Sequence, residues 1–126
     1  MMDPSANNPA WIAAPDLPAK RGDLTCAVSG DKIYAFGGFY DPAGIFAADS
    51  FHNTTFEFDP TTDAWTTKAE MPTARGDKAA VVLADDSIVV IGGEGHARGK
   101  HTQIAQHAVE QYHPAHDTWI AKARGY

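Results

Sequence analysis

The chain has 126 residues, the size of one ordinary domain, with 44% hydrophobic and 21% charged side chains and a net charge of −6. That acidic balance argues against nucleic acid as a partner, because phosphate binding needs clustered Lys and Arg. No apolar run approaches the roughly 18 residues of a membrane span, so no membrane partner is expected. The opening residues 1–8 carry no basic n-region and no apolar h-region, which makes a cytoplasmic location the default expectation.

In chain order, residues 1–10 form a polar tail. Residues 11–21 hold a short strand at 11–14, with Trp11, and a linker. The first apolar strand follows at 24–28, and its Cys26 is expected to be a buried small hydrophobe, with no second cysteine to pair with. A Ser-Gly-Asp-Lys turn leads to a second strand at 33–36 that ends in Gly37-Gly38. A long loop, 39–54, precedes a third strand at 55–58. A turn built on Asp59-Pro60 then leads to a fourth strand at 64–68 that carries Trp65.

The same order then repeats. Strands are predicted at 79–83, 88–91, 109–112 and 118–122, with Gly92-Gly93 closing the second and a long loop, 94–107, before the third. Trp11, Trp65 and Trp119 stand 54 residues apart, as do Arg21-Gly22-Asp23 and Arg75-Gly76-Asp77, and Phe58-Asp59-Pro60 and Tyr112-His113-Pro114. The two Gly-Gly pairs stand 55 apart. Such self-similarity marks a repeat architecture, and it divides the chain into repeats at 22–74 and 75–126.

Hydrophobic strand, turn, hydrophobic strand, Gly-Gly, loop, aromatic before Pro, turn, Trp: this order resembles the kelch repeat over residues 11 to about 123. The resemblance implies an all-β fold of kelch-type β-propeller blades: two four-stranded antiparallel blades plus one extra N-terminal strand. The first strand of each blade would lie nearest the central axis and the Trp strand outermost. It assigns structural roles to Gly37, Gly38, Gly92 and Gly93, to the aromatics Trp11, Trp65, Trp119 and Tyr112, and to Arg21 and Arg75, which would bond within or between blades. A propeller needs roughly four to eight blades, so two blades read as part of a longer propeller. The N-terminal strand would have no orphan blade to complete in a simple ring of identical chains.

Function would then sit in the long loops, because long loops on a rigid scaffold carry binding residues. Phe39, Tyr40, Phe46 and Phe51 in the first loop are exposed-aromatic candidates for gripping a partner. Glu94, His96, Arg98, Lys100, His101 and Gln103 make a polar set in the second. Five of the six histidines lie between 96 and 116, but spacings of five and six match no compact metal motif, so neither metal nor cofactor is assigned. The two Arg-Gly-Asp triplets fall at the same repeat phase, which reads as a consensus turn rather than an adhesion motif. No catalytic residues are assigned, and the leading expectation is a protein-interaction scaffold with a protein partner and room for a small molecule at the loop face. The alternative is part of a kelch-fold enzyme, similar to sialic-acid epimerases or metal-dependent, with its site in the loops between second and third strands.

Overall fold

A computed structural model describes residues 10–42, 44, 50–96 and 103–122. Ten strands follow in chain order: β1 (Thr25–Ser29), β2 (Lys32–Phe36), β3 (Thr55–Asp59), β4 (Ala64–Lys68), β5 (Ala79–Val82), β6 (Ile88–Ile91), β7 (Glu94–His96), β8 (Gln103–Ala105), β9 (Val109–His113) and β10 (Thr118–Ala121). Strands β1-β2-β3-β4 form one antiparallel sheet, β5-β6-β9-β10 form its repeat, and β7 pairs with β8 in a separate hairpin. No helix occurs among the described residues, and none is long and apolar enough to cross a membrane.

Register carries the repeat into three dimensions. In the first blade Val28, Ile33, Phe58 and Trp65 stand in one cross-strand row, and Val82, Ile88, Tyr112 and Trp119 form the matching row of the second. The turns that close β3–β4 and β9–β10 end on Asp63 and Asp117, whose φ angles of 58° and 52° lie in the left-handed region. Asp tolerates that region better than most residues because its short polar side chain bonds locally.

The core is the interface between the blades. Tyr34 and Phe36 of the first blade meet Ile88, Val90 and Tyr112 of the second, with Met71 from the connecting segment and Ala27, Ala80 and Trp119 at the margin. Phe36 meets the Trp119 ring edge-on at 5.5 Å, and Tyr34 lies 5.7 Å from Tyr112. Aromatic pairs in such tilted geometries contribute about 0.5–1.5 kcal/mol beyond their area burial. Each blade tryptophan also holds the strand connection beside it. The Trp65 indole donates to the Pro15 carbonyl at 3.0 Å, and the Trp119 indole donates to the Ala69 carbonyl, at the equivalent repeat position, at 2.9 Å.

Two expectations change form. Trp11 makes an isolated bridge and residues 12–17 belong to no strand. The segment instead supplies the Pro15 carbonyl to Trp65, as the connection after β4 supplies Ala69 to Trp119. Cys26 is exposed rather than buried. It shares a face with Val28, and that face of the first blade points away from the second, whereas Ala27 points into the interface.

Candidate functional site

The long loops leave both blades at the same end, where β1 and β5 begin. Gly37 and Gly38 turn the chain out of β2 at φ angles of 59° and 104°. A Cβ on Gly37 would sit 2.5 Å from the Arg75 carbonyl, and one on Gly38 would sit 2.6 Å from the Gly22 carbonyl. Glycine is therefore demanded twice, by backbone conformation and by close approach. Gly92 and Gly93 repeat the conformations, at 65° and 102°, and a Cβ on Gly93 would sit 2.3 Å from the Gly76 carbonyl.

Immediately beyond each pair, the chain is stitched to the segment that enters the inner strand. Gly22 bridges Phe39, and Gly76 bridges Glu94. Both glycines belong to the Arg-Gly-Asp triplets, so those triplets are the junctions that fix the loop bases. Asp23 and Asp77 take left-handed φ angles of 52° and 49°, and the Asp77 amide donates to the Asp23 carbonyl across the blades at 3.1 Å.

The two triplet arginines differ. Arg75 is fully buried and donates to the carbonyls of Gly92, Ala108 and Val90 and to Glu110 Oε1 at 2.8 Å. Gly92 and Ala108 flank the β7–β8 hairpin, so this guanidinium clips the hairpin at its base. Glu110 accepts a second bond from Thr73 Oγ1 at 2.6 Å. In the first blade the residue in the place of Glu110 is Phe56, and Arg21, half-buried, donates to the Lys20 carbonyl instead. Burial lowers the Arg75 pKa, and the Glu110 carboxylate opposes that shift.

Lys78, which sequence patterning does not single out, is buried at the same junction with its ammonium on the Phe36 carbonyl. Desolvation, reinforced by the nearby Arg75 charge, pushes its pKa down to about 8. The signal for it in the sequence is a charged residue at the repeat position that Leu24 occupies in the first blade.

Of the first-loop aromatics, Phe51 is buried and meets the Phe39 ring at a tilt of 58°, with ring centroids 5.0 Å apart. These two pack back on the blade because Phe39 is backbone-bridged to both Gly22 and Phe51. Tyr40 projects, 39% exposed, with its amide bonded to the Ser50 carbonyl. Phe46 lies outside the described residues, as do Arg98, Lys100 and His101 of the second loop. Within that loop His96 pairs in backbone register with Gln103, and Glu94 pairs with Ala105, giving a hairpin that strand patterning does not anticipate. Glu94 and Ile104 are exposed on it, and so is His107 just beyond it. Among the described residues no group of three or more His, Cys, Asp or Glu side chains is placed to hold a metal ion.

The comparisons with known proteins agree with this geometry. The family model described as Kelch motif matches residues 20–72, the first blade and its entry. Kelch-like protein terF of Aspergillus terreus is 32% identical over 111 residues, covering 87% of this chain and 22% of that protein. Kelch-like protein 36 of Bos taurus is 28% identical over 114 residues, covering 90% of this chain and 17% of that one. Beta-scruin of Limulus polyphemus is 32% identical over 92 residues, 73% of this chain and 9% of that one. The chain thus spans less than a quarter of the length of these relatives. A solved structure titled "Structure of YjhT" superposes with a TM-score of 0.78 over 98% of this chain and 43% of that one, at 15% identity, a likeness of fold. The chain belongs to the kelch-repeat family.

Proposed function

We propose that the chain is a protein-interaction module, two blades within a longer kelch propeller, and that its loop end is the binding surface. One observation carries the reading: both long loops emerge at one end of a rigid two-blade body. Their bases are pinned by the Gly22–Phe39 and Gly76–Glu94 bridges and by the buried Arg75. Rigid placement of loop side chains reduces the ordering cost of association. Tyr40, an exposed aromatic at the mouth of the first loop, and Glu94, exposed at the root of the hairpin, are the described side chains best placed to meet a partner. The greater length of the kelch relatives supports the larger ring, and a cytoplasmic setting remains part of the proposal.

The test compares partners captured by the full chain from cell extract with those captured by Tyr40→Ala/Glu94→Ala. A control variant, Ala115→Ser/His116→Ala, alters the turn at the opposite end. Selective loss of partners from the loop variant supports the proposal. Equal retention by both variants, or equal loss from both, would refute it.

A further inference from the structure

The stems of the two long loops meet on one short segment, residues 75–78, at the entry to the second blade. The first stem closes where the His52 amide donates to the Gly38 carbonyl at 3.0 Å, and the second where the Gly92 amide donates to the Ala108 carbonyl at 2.9 Å. Arg75 holds both. Its amide donates to the His52 carbonyl at 3.1 Å, and its carbonyl accepts from the Gly38 amide at 3.0 Å, so its backbone takes the first stem. Its guanidinium takes the second, donating to the Gly92 carbonyl at 2.9 Å and to the Ala108 carbonyl at 3.2 Å. One fully buried residue is bonded to all four stem residues.

The residues that follow reach both loops by other contacts. Gly76 exchanges two backbone bonds with Glu94, at the start of β7, and it lies against Phe51, whose ring would be 3.3 Å from a Cβ placed there. Phe51 is itself bridged to Phe39 across the first loop. Lys78 puts its ammonium on the Phe36 carbonyl, just before the first stem, and its own Cβ would lie 3.0 Å from a Cβ on Gly93 in the second. Arg75, Gly76 and Lys78 are all buried. Displacing the segment therefore strips buried polar groups of their partners at both stems together, which is costly.

We infer that the two loops are energetically coupled: their stems are seated or released together on residues 75–78, so a partner that grips one loop also orders the other. Seating of this segment is the two-state element that both loops bias. A partner ordering the first loop bears the cost of seating the segment. A contact at the second loop then forms on a stem already fixed, which is positive cooperativity. The inference rests on the reading of the loop end as the binding surface and adds how that surface is regulated.

Native-state hydrogen exchange on the full chain, with no partner present, tests it. Arg75→Met/Glu110→Leu removes the guanidinium from the second stem and leaves the Arg75 backbone groups that hold the first. Exchange should accelerate at the Gly92 amide and, by at least about fivefold, at the Tyr40 amide, whose bond to the Ser50 carbonyl lies within the first loop. Phe51→Leu tests the reverse direction by trimming the ring that rests on Gly76. The Gly92 and Gln106 amides, bonded to Ala108 and Gly93 at the second stem, should then accelerate by a similar factor. The Phe51 variant decides alone where the double variant does not fold. Amides of β3 and β6, central in their sheets, report opening of the whole domain and should change less than the stem amides. Acceleration confined to the loop that each variant touches would overturn the inference. Acceleration at the distant loop no greater than in β3 and β6 would overturn it too, because that is general loss of stability. Either result would leave the binding reading standing, since that reading fails only in the partner-capture comparison.

Discussion

Replacing Glu110 by Ala would leave the Arg75 guanidinium, fully buried, with three backbone carbonyls and no counter-charge. It would also strip Thr73 Oγ1 of its acceptor. Breaking a buried ion pair from one side costs about 3–5 kcal/mol, because the remaining charge is stranded in a medium of low polarity. Against a domain stability of about 5–15 kcal/mol that is a large fraction, and in a chain of this size it corresponds to a fall in Tm of roughly 10–20 °C. Urea denaturation monitored by tryptophan fluorescence measures the loss as a lower midpoint. Hydrogen exchange should also accelerate at the Gly92 amide, whose bond to the Ala108 carbonyl closes the hairpin base. The double variant Arg75→Met/Glu110→Leu should recover most of the stability, since it removes both charges. In the first blade, Arg21→Met should change stability by no more than about 0.5 kcal/mol, because Arg21 donates to a backbone carbonyl where Arg75 meets a carboxylate. A loss below about 1 kcal/mol in Glu110→Ala, or equal losses in Glu110→Ala and Arg21→Met, would refute the reasoning.

Other outcomes follow from the same junction. Lys78 is held near 8 when folded against an ordinary 10.5, so the unfolded chain binds more protons between those values and stability should rise with pH across that window. The full gain is about 3 kcal/mol, and Lys78→Met should abolish the slope. Denaturation midpoints are best compared from pH 7 to about 9, because burial raises Cys26, whose ordinary value is 9.0, and Tyr34 and Tyr112, and each opposes the trend above its ordinary range. Gly38→Ala should destabilise by about 1–3 kcal/mol, since its left-handed backbone and the Gly22 carbonyl both exclude a Cβ; a midpoint unchanged in urea would count against that constraint. Trp119→Phe should cost about 1–3 kcal/mol through loss of the indole bond to Ala69 and of ring contact with Phe36, and an unchanged melting curve would show that neither contact matters.

Strand content is legible in the sequence because each blade strand pairs an apolar or aromatic run with its own punctuation: Gly-Gly after β2 and β6, an aromatic and Pro at the ends of β3 and β9. The β7–β8 hairpin is not, because Glu94-Gly95-His96 contains no β-branched or aromatic residue and Gln103-Ile104-Ala105 only one. Cys26 defies its expected burial because an apolar run says nothing about which of two faces meets a neighbour. One residue of alternation sends Ala27 inward and Cys26 outward. The loop aromatics pose a related difficulty. Phe39 and Phe51 lie in a long loop like Tyr40, yet a backbone bridge between them turns them onto each other. The contrast between Arg75 and Arg21 is readable in principle, since Glu110 and Phe56 occupy the same repeat position. That reading needs the knowledge that this position faces the arginine, and only the fold supplies it.

The central claim is that the two repeats share one core and so hold both long loops on a single rigid body. A double-mutant cycle between Phe36 and Trp119, one from each blade, tests it most directly. With Phe36→Leu, Trp119→Leu and the double variant measured by urea denaturation, a coupling of about 0.5–1.5 kcal/mol is expected from the edge-on contact at 5.5 Å. A coupling of zero, with the two losses simply adding, would mean that the repeats do not pack as adjoining blades.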